Sequence, residues 1–281
     1  MEIISTKEHL VRHIQKVKGK GNTIGFVPTM GSLHRGHLSL IQMASEQCDF
    51  VVTSIFVNPT QFNEKQDFEA YPRHVDQDLE LLKDHACDLA FIPKTQEIYP
   101  DGIHAQTYPV GALANVMEGA QRPGHFNGVI QVVRRLFELV TPDKAIFGEK
   151  DFQQLAIIRW MTKYFMLPVE IVGAPIIRDE NGLALSSRNQ LLDRHQILLA
   201  QELSRSLRNV KDSFQIQGIS QAISCEIKRL NSLDSLELEY LQSADESSLQ
   251  PIVKTDWPEH VRLFIAARLG NVRLIDNMRL F

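Results

Sequence analysis

Gly25-Phe26-Val27-Pro28-Thr29-Met30-Gly31-Ser32-Leu33-His34-Arg35-Gly36-His37 is the stretch on which the fold turns. It leaves a short apolar strand, Thr23 to Val27, and enters a helix whose apolar face runs through Leu38, Ile41 and Ala44. In an open α/β sheet, ligands collect at the carboxyl ends of strands, near the point where strand order reverses. A helix N-terminus placed there presents free N–H groups and partial positive charge, both suited to a phosphate. Gly31 and Gly36 let the backbone approach such a group closely. The run contains neither G-x-x-x-x-G-K-[ST] nor G-x-G-x-x-G, so it is neither a P-loop nor a dinucleotide fingerprint.

The pattern continues on both sides of this loop. Ser5-Thr6-Lys7-Glu8 reads as a capping box ahead of an amphipathic helix carrying Leu10, Val11, Ile14 and Val17. Phe50 to Val57 is apolar and β-branched on both faces, as a central parallel strand must be. Helix over 76–86, strand over 88–92, helix over 129–140, strand over 144–147, helix over 152–165 and strand over 169–172 follow. Strands alternating with helices imply βαβ units with right-handed crossovers. The expectation is an α/β, Rossmann-like doubly wound parallel sheet over residues 1–175.

Residues 176–281 read differently. Helices are expected over 194–210 and 219–230. A half-exposed strand is expected over 236–240, and strands over 262–269 and 272–275 flank a Gly270-Asn271 turn. This is a second, smaller α+β domain. At 281 residues the chain matches about two domains of roughly 150 residues each.

Apolar residues make up 43% of the chain and charged residues 23%, ample for a packed core and against global disorder. A net charge of −4 argues against a general nucleic-acid binder, which would show a basic excess. No run approaches about 18 apolar residues, so no membrane span is expected. The first residues lack the apolar core of a signal peptide. Cys48, Cys87 and Cys225 are scattered and form no C-x-x-C, which fits a reducing cytoplasm better than a disulfide framework or a thiolate zinc site.

Within the opening loop, His34 and His37 carry the chemistry. Imidazoles beside a triphosphate can donate to its oxygens and stabilise charge that builds during nucleotidyl transfer. Two plainer readings stand beside this one. The rings could merely cap the loop, or they could belong to a zinc site, for which His-x-x-His supplies only two of the three ligands a catalytic zinc needs.

The segment Phe26 to His37 resembles the signature of the pantothenate synthetase (pantoate–β-alanine ligase) family, within the wider nucleotidyltransferase group bearing a His-x-Gly-His-type loop. Further segments resemble that family's motifs in the same order: Phe56 to Phe62, Tyr71-Pro72-Arg73, Arg122 to Phe126, Phe147 to Gln154 and Leu185 to Asn189. Ile275-Asp276-Asn277 is a weaker match. The resemblance implies ATP contacts from Met30, Gly31, Ser32, Leu33, His34, Arg35, Gly36 and His37. It implies others from Gly148, Glu149, Lys150 and Asp151, from Ile177 through its backbone near adenine, and from Leu185, Ser186, Ser187 and Arg188 in a loop that closes over the nucleotide. It places pantoate on Gln61 and Gln154, and β-alanine on Gln61 in the second half-reaction.

The residue types suit these roles on their own chemistry. Gln61 follows the second of the expected strands, and its amide can both donate and accept, so it can hold hydroxyls and a carboxylate; it could equally tie down its own turn. Lys150 is a mobile point charge for polyphosphate, and Asp151 is a good N-cap by type. Gln154 lies about one helical turn beyond Asp151, whereas Gln153 should face elsewhere. Ser186, Ser187 and Arg188 match phosphate oxygens, though the segment lacks the lysines many relatives of the wider group carry; a plain interdomain turn is the bland alternative. Arg122 and His125 could complete an anion-binding wall. Asp76 and Asp78 are either magnesium contacts or, more ordinarily, solvated charges opening a helix. No protein ligand is assigned to a metal, because magnesium held by phosphates and water is the safer expectation.

The implied reaction is ATP-dependent condensation of pantoate with β-alanine through pantoyl adenylate, releasing pyrophosphate and then AMP. His34, His37 and Lys150 are the catalytic candidates. The cofactor and substrate expectations are ATP with Mg2+, pantoate and β-alanine; the assembly expected by resemblance is a homodimer, in the cytoplasm. Nucleotidyl transfer to another small acceptor, a non-catalytic nucleotide sensor and a metal hydrolase using His34, His37 and His125 are the rivals. The neutral amides of Gln61 and Gln154 favour a hydroxy-acid over a phosphorylated acceptor.

Overall fold

The structure, a computed structural model, describes residues 1–62, 65–252 and 260–281. It divides into two compact units, one of residues 1–149 with 153–175, the other of residues 150–152 with 176–281.

The first unit runs β1 (Glu2–Ile4), α1 (Lys7–Lys18), β2 (Ile24–Thr29), α2 (Arg35–Gln47), β3 (Phe50–Ile55), α3 (Lys65–Ala70) and α4 (Val75–Lys83). It continues with β4 (Leu89–Phe91), α5 (Thr95–Ile98), α6 (Met117–Gln121), α7 (His125–Val140), β5 (Lys144–Gly148), α8 (Phe152–Tyr164) and β6 (Glu170–Ala174). The described strands form a six-stranded sheet in the order β1-β4-β3-β2-β5-β6. Every pairing is parallel. The chain moves outward from β2 through β3 to β4, then returns to lay β5 on the other side of β2. The carboxyl ends of β2 and β5 therefore flank the reversal point, where a ligand crevice belongs.

β2 and β3 are buried almost throughout, since helices cover both faces of a parallel sheet. Val27, Leu33, Ile41, Ala44, Val51, Ile55 and Ile146 join one apolar cluster, so the core reaches up to the loop after β2. Burying a Val, Leu or Ile side chain contributes about 1.5–3 kcal/mol each.

Several local expectations shift. The edge strand β1 is too short for its alternation to register in the sequence, yet it pairs with β4 from Glu2↔Leu89 to Ile4↔Phe91. The cap of α1 is Thr6, whose hydroxyl accepts from His9 N–H; Glu8 does not close a capping box from Ser5, because the helix starts one residue later. Helix α7 begins at His125, four residues before the apolar run that announces it, with Gly124 turning the chain at φ 84°.

In the second unit, α9 (Arg194–Gln217) and α10 (Ile219–Asn231) accompany β7 (Glu237–Asp245), β8 (Val261–Leu269) and β9 (Val272–Arg279). The sheet is antiparallel in the order β7-β8-β9. Leu203, Leu207 and Val210 of α9 and Ala222 and Leu230 of α10 pack with Leu263, Ile265 and Ala267 in one cluster. Leu269↔Val272 closes the hairpin across Gly270-Asn271. Helix α9 runs seven residues past the expected end at Val210, until Gly218 follows it. Its last turns bury Phe214 but leave Ile216 exposed among polar residues, which hides the period.

Candidate active site

The loop after β2 is held by a residue far along the chain. Gly31 and Ser32 take successive positive φ values of 80° and 52°, which reverse the backbone as it leaves the strand. This turn aims two consecutive N–H groups at one carboxylate: Ser32 donates to Asp78 Oδ2 at 2.9 Å and Leu33 to Asp78 Oδ1 at 2.6 Å. Thr29 supports the turn from below, its hydroxyl donating to Ser54 O at 2.7 Å and accepting from Gly31 N–H at 3.2 Å. Asp78 is only 2% exposed. It is thus not a solvated helix-opening charge; its neighbour Asp76 is the exposed one. Burial pushes the Asp78 carboxyl up, opposed by the Leu33 and Ser32 N–H groups and by His74.

At the start of α2 the two histidines share one arrangement. His34 is the N-cap: its Nδ1 accepts from Gly36 N–H at 3.1 Å, while His34 N–H donates to His37 Nδ1 at 3.3 Å. The rings lie 4.1 Å apart, tilted by 40°. With both Nδ1 atoms accepting from the backbone, each neutral imidazole carries its proton on Nε2. The capping reading holds for one nitrogen of each ring, which serves the helix N-terminus.

Gln61 is oriented by a chain of buried amides and a phenol. Tyr99 O–H donates to Asn58 Oδ1 at 2.8 Å, and burial pushes that phenol up to about 12, so it keeps its proton. Asn58 must then turn Nδ2 toward Gln61 Oε1 at 3.2 Å and Gly128 O at 3.1 Å. That leaves Gln61 to present its N–H2 toward Met30, with Nε2 2.8 Å from Sδ. The loop after β2 and the Asn58-Pro59-Thr60-Gln61 turn are thereby brought together. Arg122 and His125, which could complete an anion-binding wall, both reach the Gln61 carbonyl, at 3.3 Å and 2.7 Å. Gly128 is required in α7 beneath this turn, since a Cβ there would collide with the Thr60 carbonyl.

On α8, the adjacent glutamines diverge. Gln153 is buried and its amide is spent on backbone, donating to Leu113 O at 2.8 Å and Val116 O at 2.9 Å and accepting from Glu118 N–H at 2.9 Å. Gln154, about 100° further round the helix, is half-buried.

In the second unit, Lys150 lies in a 3₁₀ turn over Glu149–Asp151, just ahead of α8, and is half-buried, whereas Asp151 is exposed. Residues 177–185 form a tight return. Leu185 N–H donates to Ile177 O at 2.9 Å and Arg178 bridges to Ala184. Ser186 caps the following 3₁₀ turn, its hydroxyl accepting from Arg188 N–H at 3.3 Å, while Ser187 is buried. Arg178 forms a bidentate pair with Asp276 at 2.5 and 2.8 Å.

A family model described as pantoate-beta-alanine ligase matches residues 2–279. The chain belongs to the pantoate-beta-alanine ligase family. Its similarity to curated relatives is end to end: 46% identity to the pantothenate synthetase of Porphyromonas gingivalis, covering 99% of both chains, and 45% to that of Christiangramia forsetii, covering 100% and 99%. The crystal structure of pantothenate synthetase from Thermus thermophilus superposes with a TM-score of 0.93 at 40% identity, covering 100% of both chains. A pantoate-beta-alanine ligase from Francisella tularensis, crystallised in complex with beta-gamma ATP and beta-alanine, gives 0.83 at 36% identity, covering 100% of this chain and 98% of that one.

A ligase of this family handles ATP, which raises the question of a metal. Among the described residues no group of three or more His, Cys, Asp or Glu side chains could hold an ion. Asp78, one of the two acids that could have contacted magnesium, accepts an N–H on each of its oxygens. No helix among the described residues is long and apolar enough to cross a membrane.

Proposed function

We propose that this ligase condenses pantoate with β-alanine by first adenylating pantoate. A pantoate carboxylate oxygen attacks the α-phosphorus of ATP in line and the bond to pyrophosphate breaks. The β-alanine amine then attacks the acyl carbon, loses a proton, and AMP leaves with the bonding electrons. The observation that carries this reading is the pair of imidazoles at the N-terminus of α2, with Nδ1 of each accepting from the backbone, which puts the proton of each neutral ring on Nε2. Two fixed donors beside a helix N-terminus suit an α-phosphate that gains negative charge in the transition state. The printed ligands of the Francisella relative, beta-gamma ATP and beta-alanine, support the same substrates here.

The nucleotide contacts are Met30, Gly31, Ser32, Leu33, His34, Arg35, Gly36 and His37, then Gly148, Glu149, Lys150 and Asp151, then Ile177, Leu185, Ser186, Ser187 and Arg188. His34, His37 and Lys150 act on the phosphates; Gln61 and Gln154 hold pantoate, and Gln61 also meets β-alanine. Gln61 suits a carboxylate because Asn58 forces its N–H2 outward from the turn. The first unit is the ATP- and pantoate-binding domain and the second the smaller nucleotide-contacting domain. Mg2+ bound to the phosphates would neutralise part of their charge, with water completing its shell. Three unpaired cysteines support a cytoplasmic setting, and a homodimer, testable by sedimentation equilibrium, completes the reading.

Isotope exchange between pyrophosphate and ATP tests the scheme. Exchange is expected with pantoate present and β-alanine absent. Exchange that needs the amine would reject a free adenylate stage.

A further inference from the structure

The Asp276-Asn277 dipeptide near the carboxyl end of β9 has no place in the chemistry above, yet both residues are buried, at 4% and 2% exposure. Asn277 Nδ2 donates to the Lys150 carbonyl at 2.8 Å, across 127 residues of sequence. The rest of Asn277 is pinned. Its Oδ1 accepts from Arg262 at 2.6 Å, its N–H donates to Asp276 Oδ1 at 2.7 Å, and its carbonyl accepts from Arg178 at 3.2 Å. The Arg262 guanidinium also lies over the Phe152 ring, 4.0 Å from its centroid, and Phe152 packs against Phe264 of β8 with centroids 5.9 Å apart. The short segment Lys150-Asp151-Phe152 is therefore gripped at its first carbonyl and at its last ring by the antiparallel sheet.

We propose that Asn277 is a positioning residue for Lys150: its amide fixes the Lys150 carbonyl and so the direction in which the lysine side chain leaves the backbone. A lysine stem has four rotatable carbons and pays a large entropic cost to place its charge. Fixing the Cα–Cβ direction at a 3₁₀ turn removes the backbone share of that search. Rigid support of this kind is what holds a charged group within reach of a reacting phosphate. The Arg178–Asp276 pair keeps Asn277 itself from shifting, since it holds both the N–H side and the carbonyl side of that residue. This inference rests on the assignment of Lys150 to the ATP phosphates.

The test is Asn277→Asp in the full chain. The substitution keeps size and the acceptor for Arg262 but replaces the donor to Lys150 with an oxygen facing an oxygen. In the two-step scheme, kcat/KM for ATP reports adenylation and kcat/KM for β-alanine reports the second step. The expected result is a fall of about tenfold in kcat/KM for ATP, the size a single lost hydrogen bond typically carries, with kcat/KM for β-alanine within about twofold of wild type. In a Lys150→Met background the same substitution is expected to have little further effect on kcat/KM for ATP. Equal losses for both substrates, an unchanged ATP value, or a full-sized loss in the Lys150→Met background would each overturn the proposal. Asn277→Ala covers the case in which the aspartate variant does not fold, with the same ATP-selective loss expected and a uniform loss overturning it. If Lys150→Met alone leaves kcat/KM for ATP at the wild-type value, the assignment of Lys150 falls and this tether with it. If Lys150→Met lowers it and Asn277→Asp does not, the tether alone falls.

Discussion

Removing the Asp78 carboxylate isolates what holds the loop after β2 in shape. In Asp78→Ala the N–H groups of Ser32 and Leu33 lose their acceptors at 2.9 and 2.6 Å, and both residues are buried, at 2% and 6% exposure. A buried donor left without a partner costs about 1–3 kcal/mol, so the pair would cost about 2–6 kcal/mol if the loop kept its shape. That is a large share of a typical total stability of about 5–15 kcal/mol. The loop has a cheaper course, which is to turn outward and give both N–H groups to water. The expected result is therefore a drop of only a few degrees in Tm by calorimetry, together with a loss of more than about tenfold in pantoate-dependent pyrophosphate–ATP exchange. Asp78→Asn keeps the volume but sets an N–H2 against one of the two donors, and is expected to reproduce most of the exchange loss. Wild-type exchange and wild-type Tm in Asp78→Asn would show that this contact does not shape the loop.

The same carboxyl predicts a pH dependence. Its folded pKa is raised by burial, so the folded chain binds that proton more readily than the unfolded one. Its stabilising contribution is present below the ordinary carboxylate value of about 3.9 and is lost as pH rises through the raised folded value; wild-type stability minus that of Asp78→Asn should fall over this window and then level off. Gly31→Ala, at φ 80° and with a new Cβ 2.9 Å from Asp78 Oδ2, should cost about 1–2 kcal/mol in a denaturant melt and lower exchange. His37→Ala removes an Nε2 donor and also the acceptor for His34 N–H; single-turnover adenylate formation should slow by about 10²–10³, and a normal rate would remove His37 from the chemistry. Tyr99→Phe removes one of the donors that orient Asn58, leaving those of Thr60, and should raise the KM for pantoate more than that for ATP, measured by initial rates. Gln153→Ala should lower Tm by stripping three backbone contacts, whereas Gln154→Ala should leave Tm near wild type and raise the pantoate KM.

What the sequence shows and what it hides divide along a physical line. The α/β architecture is legible because β2 and β3 are mostly apolar and the helices beside them carry a 3.6-residue period, both local signals. The loop from Met30 to His37 is legible for the same reason: its glycines, its histidines and its place after a strand lie within one short stretch. The groups that hold the candidate site in shape are not local. Asp78 meets Ser32 across 46 residues, Tyr99 meets Asn58 across 41, and Asn277 meets Lys150 across 127. Each is a polar side chain whose partner is a backbone group or a buried amide. No periodicity records such pairing, and the side-chain type alone suggests a surface role, as it does for Asp78 at the start of α4. The one available hint is positional: Asp78 falls where the face of α4 should be apolar, on the same side as the buried Leu82 four residues on. An acid on a buried helical face has to be satisfied by something, and two consecutive N–H groups turned inward by Gly31 and Ser32 are what satisfies this one. A charged residue at an apolar helical position thus identifies the fastening of a loop even when it does not identify which loop.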